Sequence, residues 1–369
     1  MVFGIRLSAR NPDAEAASRA SRPRSREAAL GDALAARLRG CPAMTTAVSI
    51  GEVMIELKRE PDGRFALAFG GDSFNTAVYV ARCGIDTAYV TALGDDRWSD
   101  AIVALAEAEG IGTAAILRVA GRLPGLYLIE TDAAGERTFS YWRETSPARD
   151  LFALPGADAV ERAIRAARLV YVSGITLSLY DDFGLDRLFA ALAAARDAGA
   201  RIAFDSNFRP RGWRGDMDRA RRVMARALDL ATIALPTFDD ERALWGDITP
   251  DDSLDRLARH GIAEALVKLG PEGAHIAHHG RRETVAPPER LDPHDTTAAG
   301  DSFNAAYLAA RLAGADPAQA ALAGHRLAGI VIRHPGAIAP RAETERFTRS
   351  LAVMPAGQDG RVAAPSTKK

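Results

Sequence analysis

The residues whose types and spacing could do chemistry stand in the run Asp295-Thr-Thr-Ala-Ala-Gly-Asp301, followed by Ser302-Phe-Asn-Ala-Ala-Tyr-Leu-Ala-Ala. Small residues at 298–300 lead straight into a helical pattern. The start of a helix offers free backbone N–H groups and the positive end of its dipole. Small side chains let phosphate oxygens approach those N–H groups closely. Asp301 stands at the same point, where a carboxylate can take a proton from an attacking hydroxyl. An anion cradle with a base beside it is what phosphoryl transfer needs. Acidic residues also stabilise helix starts, so this segment alone leaves a purely structural role open.

Two further segments bear on the same chemistry. In Leu266-Val-Lys-Leu-Gly-Pro-Glu-Gly273 a buried strand ends in a Gly-x-x-Gly turn, against whose backbone a nucleotide can lie. Phe69-Gly-Gly-Asp-Ser-Phe-Asn75 leads into a helix. Its glycines permit tight backbone approach, and Asp72 and Asn75 supply an acceptor and a mixed donor/acceptor suited to sugar hydroxyls. A plain turn with Asp72 or Ser73 as N-cap is the alternative.

In this order and spacing, the three segments resemble the PfkB carbohydrate kinases over residues 46–345. The resemblance implies the ribokinase-like fold, ATP with Mg2+, Asp301 as catalytic base, and an anion hole at Ala298, Ala299 and Gly300. It assigns Gly71, Asp72 and Asn75 to the sugar, and Asn207, Lys268, Gly270, Gly273, Ala298 and Gly300 to ATP. Leu123-Pro-Gly-Leu-Tyr-Leu-Ile-Glu-Thr-Asp, Gly135-Glu-Arg-Thr-Phe-Ser-Tyr-Trp-Arg143, Phe204-Asp-Ser-Asn-Phe-Arg-Pro-Arg211 and Asp239-Asp-Glu-Arg-Ala-Leu-Trp-Gly246 resemble its 2-dehydro-3-deoxygluconate kinases. That narrower likeness implies a sugar-acid substrate phosphorylated at its terminal hydroxyl. It gives Tyr127, Tyr141 and Arg143 to the substrate, and Arg209 to both substrate and ATP. A homo-oligomer through the lid and a cytoplasmic setting come with it.

Residue chemistry agrees. Two apart on a strand, Tyr141 and Arg143 share a face. A guanidinium fork suits a carboxylate or the phosphates of ATP. The chain departs from the family in two places. Thr237-Phe-Asp-Asp240 stands where Asn-x-x-Glu is common, leaving Asp240 a metal role through water. Ala298 stands where Gly is common, an extra methyl that is tolerated if φ is negative.

These residues need a scaffold. Candidate strands are Val48–Leu57, Thr87–Ala92, Leu169–Ser173, Arg201–Asp205, Thr232–Leu235 and Glu264–Leu269. Helical patterns lie between them at Asn75–Arg82, Ser99–Ala108, Ala159–Ala167, Leu185–Ala198, Asp218–Ala227 and Ser253–Arg259. The alternation predicts an α/β fold with a mostly parallel sheet, helices on both faces, and ligands beyond the carboxyl ends of the strands. Two segments, about 57–70 and 121–144, break the alternation and read as a small β lid. The first turns at Pro-Asp-Gly (61–63), and the second is a hairpin turning at Asp-Ala-Ala-Gly-Glu (132–136). Residues 1–45, rich in Ala and Arg before Met44, read as a disordered extension, 46–350 as the kinase domain, and 351–369 as a flexible tail.

Composition narrows the alternatives. Among 369 residues, 47% are hydrophobic and 26% charged, with net charge −1, so no global field points to nucleic acid or membrane. The longest apolar runs, such as Leu188 to Ala195, are too short to span a bilayer. Cys41 and Cys83 make no disulfide framework and fit a reducing cytoplasm. His275, His278 and His279 read as surface residues, since zinc needs more converging ligands. Asp95-Asp96 reads as a turn or the start of a helix. Rival functions are a kinase for a neutral sugar such as fructose or ribose, and a non-catalytic sugar-acid sensor, which would need no Asp301. A nicotinamide dehydrogenase would need Gly-x-Gly-x-x-Gly after the first strand, where Gly51-Glu-Val-Met stands.

Overall fold

The computed structural model describes residues 45–60, 62–131 and 137–351. The expected extension before residue 45, the tail after 351, the 132–136 turn, Pro61 and Cys41 lie outside the described residues.

β-rich runs form β1 (Ala47–Ile50), β4 (Thr87–Gly94), β9 (Leu169–Ser173), β10 (Arg201–Asp205), β11 (Ile233–Ala234) and β12 (Glu264–Lys268). They belong to a ten-stranded sheet of order β14-β13-β12-β11-β10-β9-β1-β4-β5, with β5 at Ile111–Gly112, β13 at Ala274–His278 and β14 at Arg281–Val285. β6 (Ile116–Val119) pairs with β4 off this path. Pairing is parallel from β5 to β12, and only β13 and β14 run antiparallel, at one edge. Every residue of β9 is buried, as a strand covered on both faces requires. On one face pack helices that include Asp182–Asp197 and Met217–Leu228, burying Leu188, Leu192, Val223 and Met224. Buried residues of Asp72–Arg82, Ala299–Leu312 and Pro317–Val331 form a second cluster, around Tyr79, Tyr307 and Leu327.

The expected strand Val48–Leu57 is two strands in two sheets. β1 ends at Ile50, the chain turns through Gly51–Val53, and β2 (Met54–Arg59) belongs to the lid. The helix Asp72–Arg82 forces the break. A Cβ on Gly51 would lie 2.1 Å from Ser73 Oγ, and one on Gly71 would lie 2.1 Å from the Glu52 carbonyl oxygen. The lid is four-stranded, in the order β3-β2-β7-β8, with β3 at Phe65–Gly70, β7 at Leu126–Thr131 and β8 at Arg137–Trp142.

Smaller expectations resolve as follows. Asp96 caps the helix Arg97–Ala108, its Oδ1 accepting from Trp98 N at 2.8 Å. His275 bonds to Thr284 and faces Asp251, and no group of three metal-ligating side chains gathers among the described residues. No helix among them is long and apolar enough to cross a membrane.

Candidate active site

The helix Ala299–Leu312 begins at the carboxyl edge of the large sheet, with Ala298 as its N-cap residue. The negative φ under which the Ala298 methyl would be tolerated is not found: the residue is left-handed, φ 59° and ψ 16°. The turn that aims the loop into the helix needs this conformation, which strains a residue carrying Cβ. Ser302 holds the turn, its Oγ donating to the Ala298 carbonyl at 2.8 Å. Ala299 N–H donates to Thr296 O at 3.2 Å. The N–H groups of Ala298, Gly300 and Asp301 have no acceptor among the described residues, which leaves three donors for an anion.

Asp301, buried in the first turn, accepts from Asn75 Nδ2 at 2.9 Å. Burial and the nearby Asp72 carboxylate raise its pKa to about 7, against the pull of Asn75 and Lys268. A carboxylate titrating near neutrality suits a general base. Asp72 in turn accepts from Asn207 Nδ2 at 2.9 Å. Asn207, expected beside ATP, thus directs its amide to the sugar motif. Its φ of 31° and the bond from its own N–H to Asp205 Oδ1, 3.1 Å, set the bend after β10.

Lys268, at the end of β12, is buried. Its Nζ donates to Asp205 Oδ2 at 2.7 Å and to Asn304 Oδ1 at 3.0 Å. A Cβ on Gly300 would stand 3.6 Å from that Nζ, so the ammonium lies directly against the anion loop. Beyond the loop, a cavity of about 1070 Å3 is lined by Lys268, Gly270, Gly273, Ala299 and Gly300, as expected for a nucleotide, and by His325, Ala328 and Gly329. Sequence reading missed the last three. They lie on Pro317–Val331, whose motif-free pattern reads as an ordinary packed helix. Asp205 and Asn304 stood inside quoted motifs without a role; the network with Lys268 supplies one.

Arg209 Nη1 pairs with Asp240 Oδ1 at 2.9 Å. Burial raises the Asp240 pKa against that pairing, and the Asp205 carboxylate pushes the same way. One or two carboxylates are the protein share of a Mg2+ that keeps its waters and rides on phosphates. Asp240 with Asp205 nearby fits that pattern.

On the lid, Glu56, Tyr127 and Tyr141 form one cross-strand row. Tyr127 Oη donates to Glu56 Oε2, and the tyrosine rings stand 6.0 Å apart. A Cβ on Gly70 would lie 2.8 Å from Tyr127 Oη and 3.8 Å from Asn75 Oδ1, so Tyr127 closes on the sugar motif. Arg143, expected to face a substrate, pairs with the buried Glu52 carboxylate.

Comparison with known proteins agrees with this geometry. Residues 44–345 match the family described as pfkB family carbohydrate kinase. A curated relative from Dickeya dadantii (strain 3937), named 2-dehydro-3-deoxygluconokinase, is 40% identical over 298 residues, covering 79% of this chain and 96% of its own. A Thermotoga maritima crystal structure described as 2-dehydro-3-deoxygluconokinase superposes with TM-score 0.73 at 22% identity, covering 83% of this chain and 99% of its own. An Escherichia coli ribokinase-II-type protein in complex with ATP and Mg2+ gives 0.72 at 20% identity, covering 83% and 100%. With most of its length matched, the chain belongs to the pfkB family of carbohydrate kinases.

Proposed function

We propose that this protein transfers the γ-phosphoryl group of ATP to the terminal hydroxyl of 2-dehydro-3-deoxy-D-gluconate. The observation that carries the reading is the 40% identity to a 2-dehydro-3-deoxygluconokinase along 96% of that relative. The site supports it. Asp301 accepts the hydroxyl proton, while Asp72 and Asn75 hold sugar hydroxyls beside Gly71. The free N–H groups of the 298–301 loop receive the transferring phosphoryl oxygens. Lys268 offsets the charge beneath the loop, and Gly270 and Gly273 let the nucleotide approach the backbone. Asp240 would hold Mg2+ through water, and the ion would supply charge neutralisation to the phosphates. Tyr127 and Tyr141 cover the sugar as the lid excludes water. ATP as phosphoryl donor sets the reaction in the cytoplasm.

The active unit is proposed to span residues 46–350. It pairs with a second copy through the lid, whose Phe65, Leu67 and Trp142 are 50%, 44% and 57% exposed. Light scattering of Leu67→Glu against wild type tests the pairing. A coupled ADP-release assay across sugars and sugar acids tests the function: 2-dehydro-3-deoxy-D-gluconate should give the highest kcat/KM. A higher value for fructose or ribose would replace this reading with the neutral-sugar one.

A further inference from the structure

The segment between the helices Pro317–Val331 and Arg341–Leu351 forms neither helix nor strand, yet Ala337 and Ala339 within it are buried. Buried backbone without a ladder of its own must find other partners. The helix Asp72–Arg82 supplies them. Tyr79 Oη donates to the Ala337 carbonyl at 2.8 Å and accepts from Ala339 N–H at 2.9 Å. Burial raises the Tyr79 pKa to about 12, so the hydroxyl keeps the proton that this double role needs. Arg82, three residues on, donates to the Ala339 carbonyl at 2.7 Å and is itself held by Glu109.

The same segment seats the start of the anion loop. The N–H groups of His294 and Asp295 both donate to the Ile332 carbonyl, at 2.8 and 3.1 Å. The buried Asp295 carboxylate divides its oxygens. Oδ2 accepts from Gly336 N–H at 3.0 Å. Oδ1 accepts from Thr297 N–H at 2.9 Å and from Thr297 Oγ1 at 2.6 Å. Those last two bonds set the turn that delivers the chain to the left-handed Ala298. The other end of the loop is Asp301, held by Asn75. Asn75 and Tyr79 stand four residues apart, about one turn, on one helix. The helix Asp72–Arg82 therefore grips both ends of the loop, Asp301 directly and Asp295 through the 336–339 bend.

We propose that Tyr79 is a positioning residue for phosphoryl transfer: through the 336–339 bend and Asp295 it sets where the N–H groups of the 298–301 loop point. This inference rests on the role proposed above for that loop. Tyr79→Phe keeps the buried ring, and with it the helix that carries Asp72 and Asn75. It removes only the hydroxyl, so Ala337 and Ala339 lose their shared partner. Donors that meet charge developing in the transition state act on kcat. At saturating ATP, kcat for 2-dehydro-3-deoxy-D-gluconate should fall about ten- to a hundred-fold, with the sugar KM within about two-fold. A merely structural Tyr79 would lower the urea midpoint and leave kcat unchanged. Asp295→Asn cuts the same relay at its other end, because one of the two accepting oxygens becomes a donor. It also weakens a 3.7 Å contact with Lys58 on the lid, so its own loss should be at least as large. Adding Tyr79→Phe to Asp295→Asn should then cost less than about two-fold more, since the relay is already broken. A folded Tyr79→Phe with wild-type kcat, or losses that multiply in the double variant, would overturn the role of Tyr79. If Tyr79→Phe does not fold, Asp295→Asn decides alone: a fall in kcat supports the relay, and wild-type kcat overturns it. A wild type that releases no ADP on any sugar or sugar acid would overturn the phosphoryl-transfer reading instead.

Discussion

Asn75 Nδ2 donates to Asp301 Oδ2 across 2.9 Å, joining residues 226 positions apart. The Gly70–Asn75 segment and the Ala298–Asp301 loop are therefore held together. The bond orients the carboxylate and favours its ionised form, while burial and Asp72 favour the neutral one. The balance places the titration of Asp301 at about 7.

Replacing Asp301 by Asn keeps the shape and removes the proton acceptor. Turnover should fall about 10²–10⁴-fold with ATP affinity little changed. Stability should respond with a definite sign. A carboxyl whose folded pKa is raised contributes stability below its unfolded pKa and loses it as pH rises through about 7. The Tm of Asp301→Asn relative to wild type should therefore increase between pH 5.5 and pH 8.5. A constant difference would show that Asp301 does not titrate in this range.

Asp72 is one cause of the raised Asp301 pKa. The acid limb of kcat/KM against pH reports the free enzyme and should fall near pH 7 in wild type. In Asp72→Asn the maximum should drop, because a proposed sugar ligand is altered, and the limb should also move to lower pH. A limb that stays in place would mean that another group controls it.

Much of this arrangement was legible in the sequence. Leu169–Ser173 and Arg201–Asp205 stand where the apolar runs put them, because a parallel strand covered on both faces reads as a near-continuous apolar run, here Leu169–Val172 and Ile202–Phe204. The strand pattern at 48–57 misled because β1 and the start of β2, Met54–Glu56, are both buried, and the break between them is set by the close packing of Gly51 on Ser73 and of Gly71 on Glu52. Arg143 reads as a carboxylate ligand by residue type, and only the fold brings Glu52 beside it. The φ of Ala298 and the lining contributed by His325 and Gly329 likewise depend on how distant segments meet.

Ala298 holds a left-handed conformation that Gly adopts freely. Ala298→Gly should gain about 1 kcal/mol, since relief of about 1–2 kcal/mol of strain exceeds the extra freedom of the unfolded chain. Chemical denaturation of both proteins measures it, and turnover should stay within about two-fold. A loss of stability would mean that the Ala298 methyl, which is itself buried, contributes more by packing than its backbone loses by strain.

Arg143 pairs with Glu52, whose carboxylate has almost no access to water. Removing one member of a buried pair costs about 3–5 kcal/mol, because the other charge is left behind. Arg143→Ala should therefore lower the denaturation midpoint strongly and reduce kcat/KM on the acid and on neutral sugars alike, as the lid loses its anchor. Adding Glu52→Gln to Arg143→Ala removes the stranded charge and should recover much of the stability but not the activity. Urea midpoints for the single and double variants decide the matter. If Arg143→Ala keeps the wild-type midpoint and loses activity only on the acid, then Arg143 leaves Glu52 to meet the substrate.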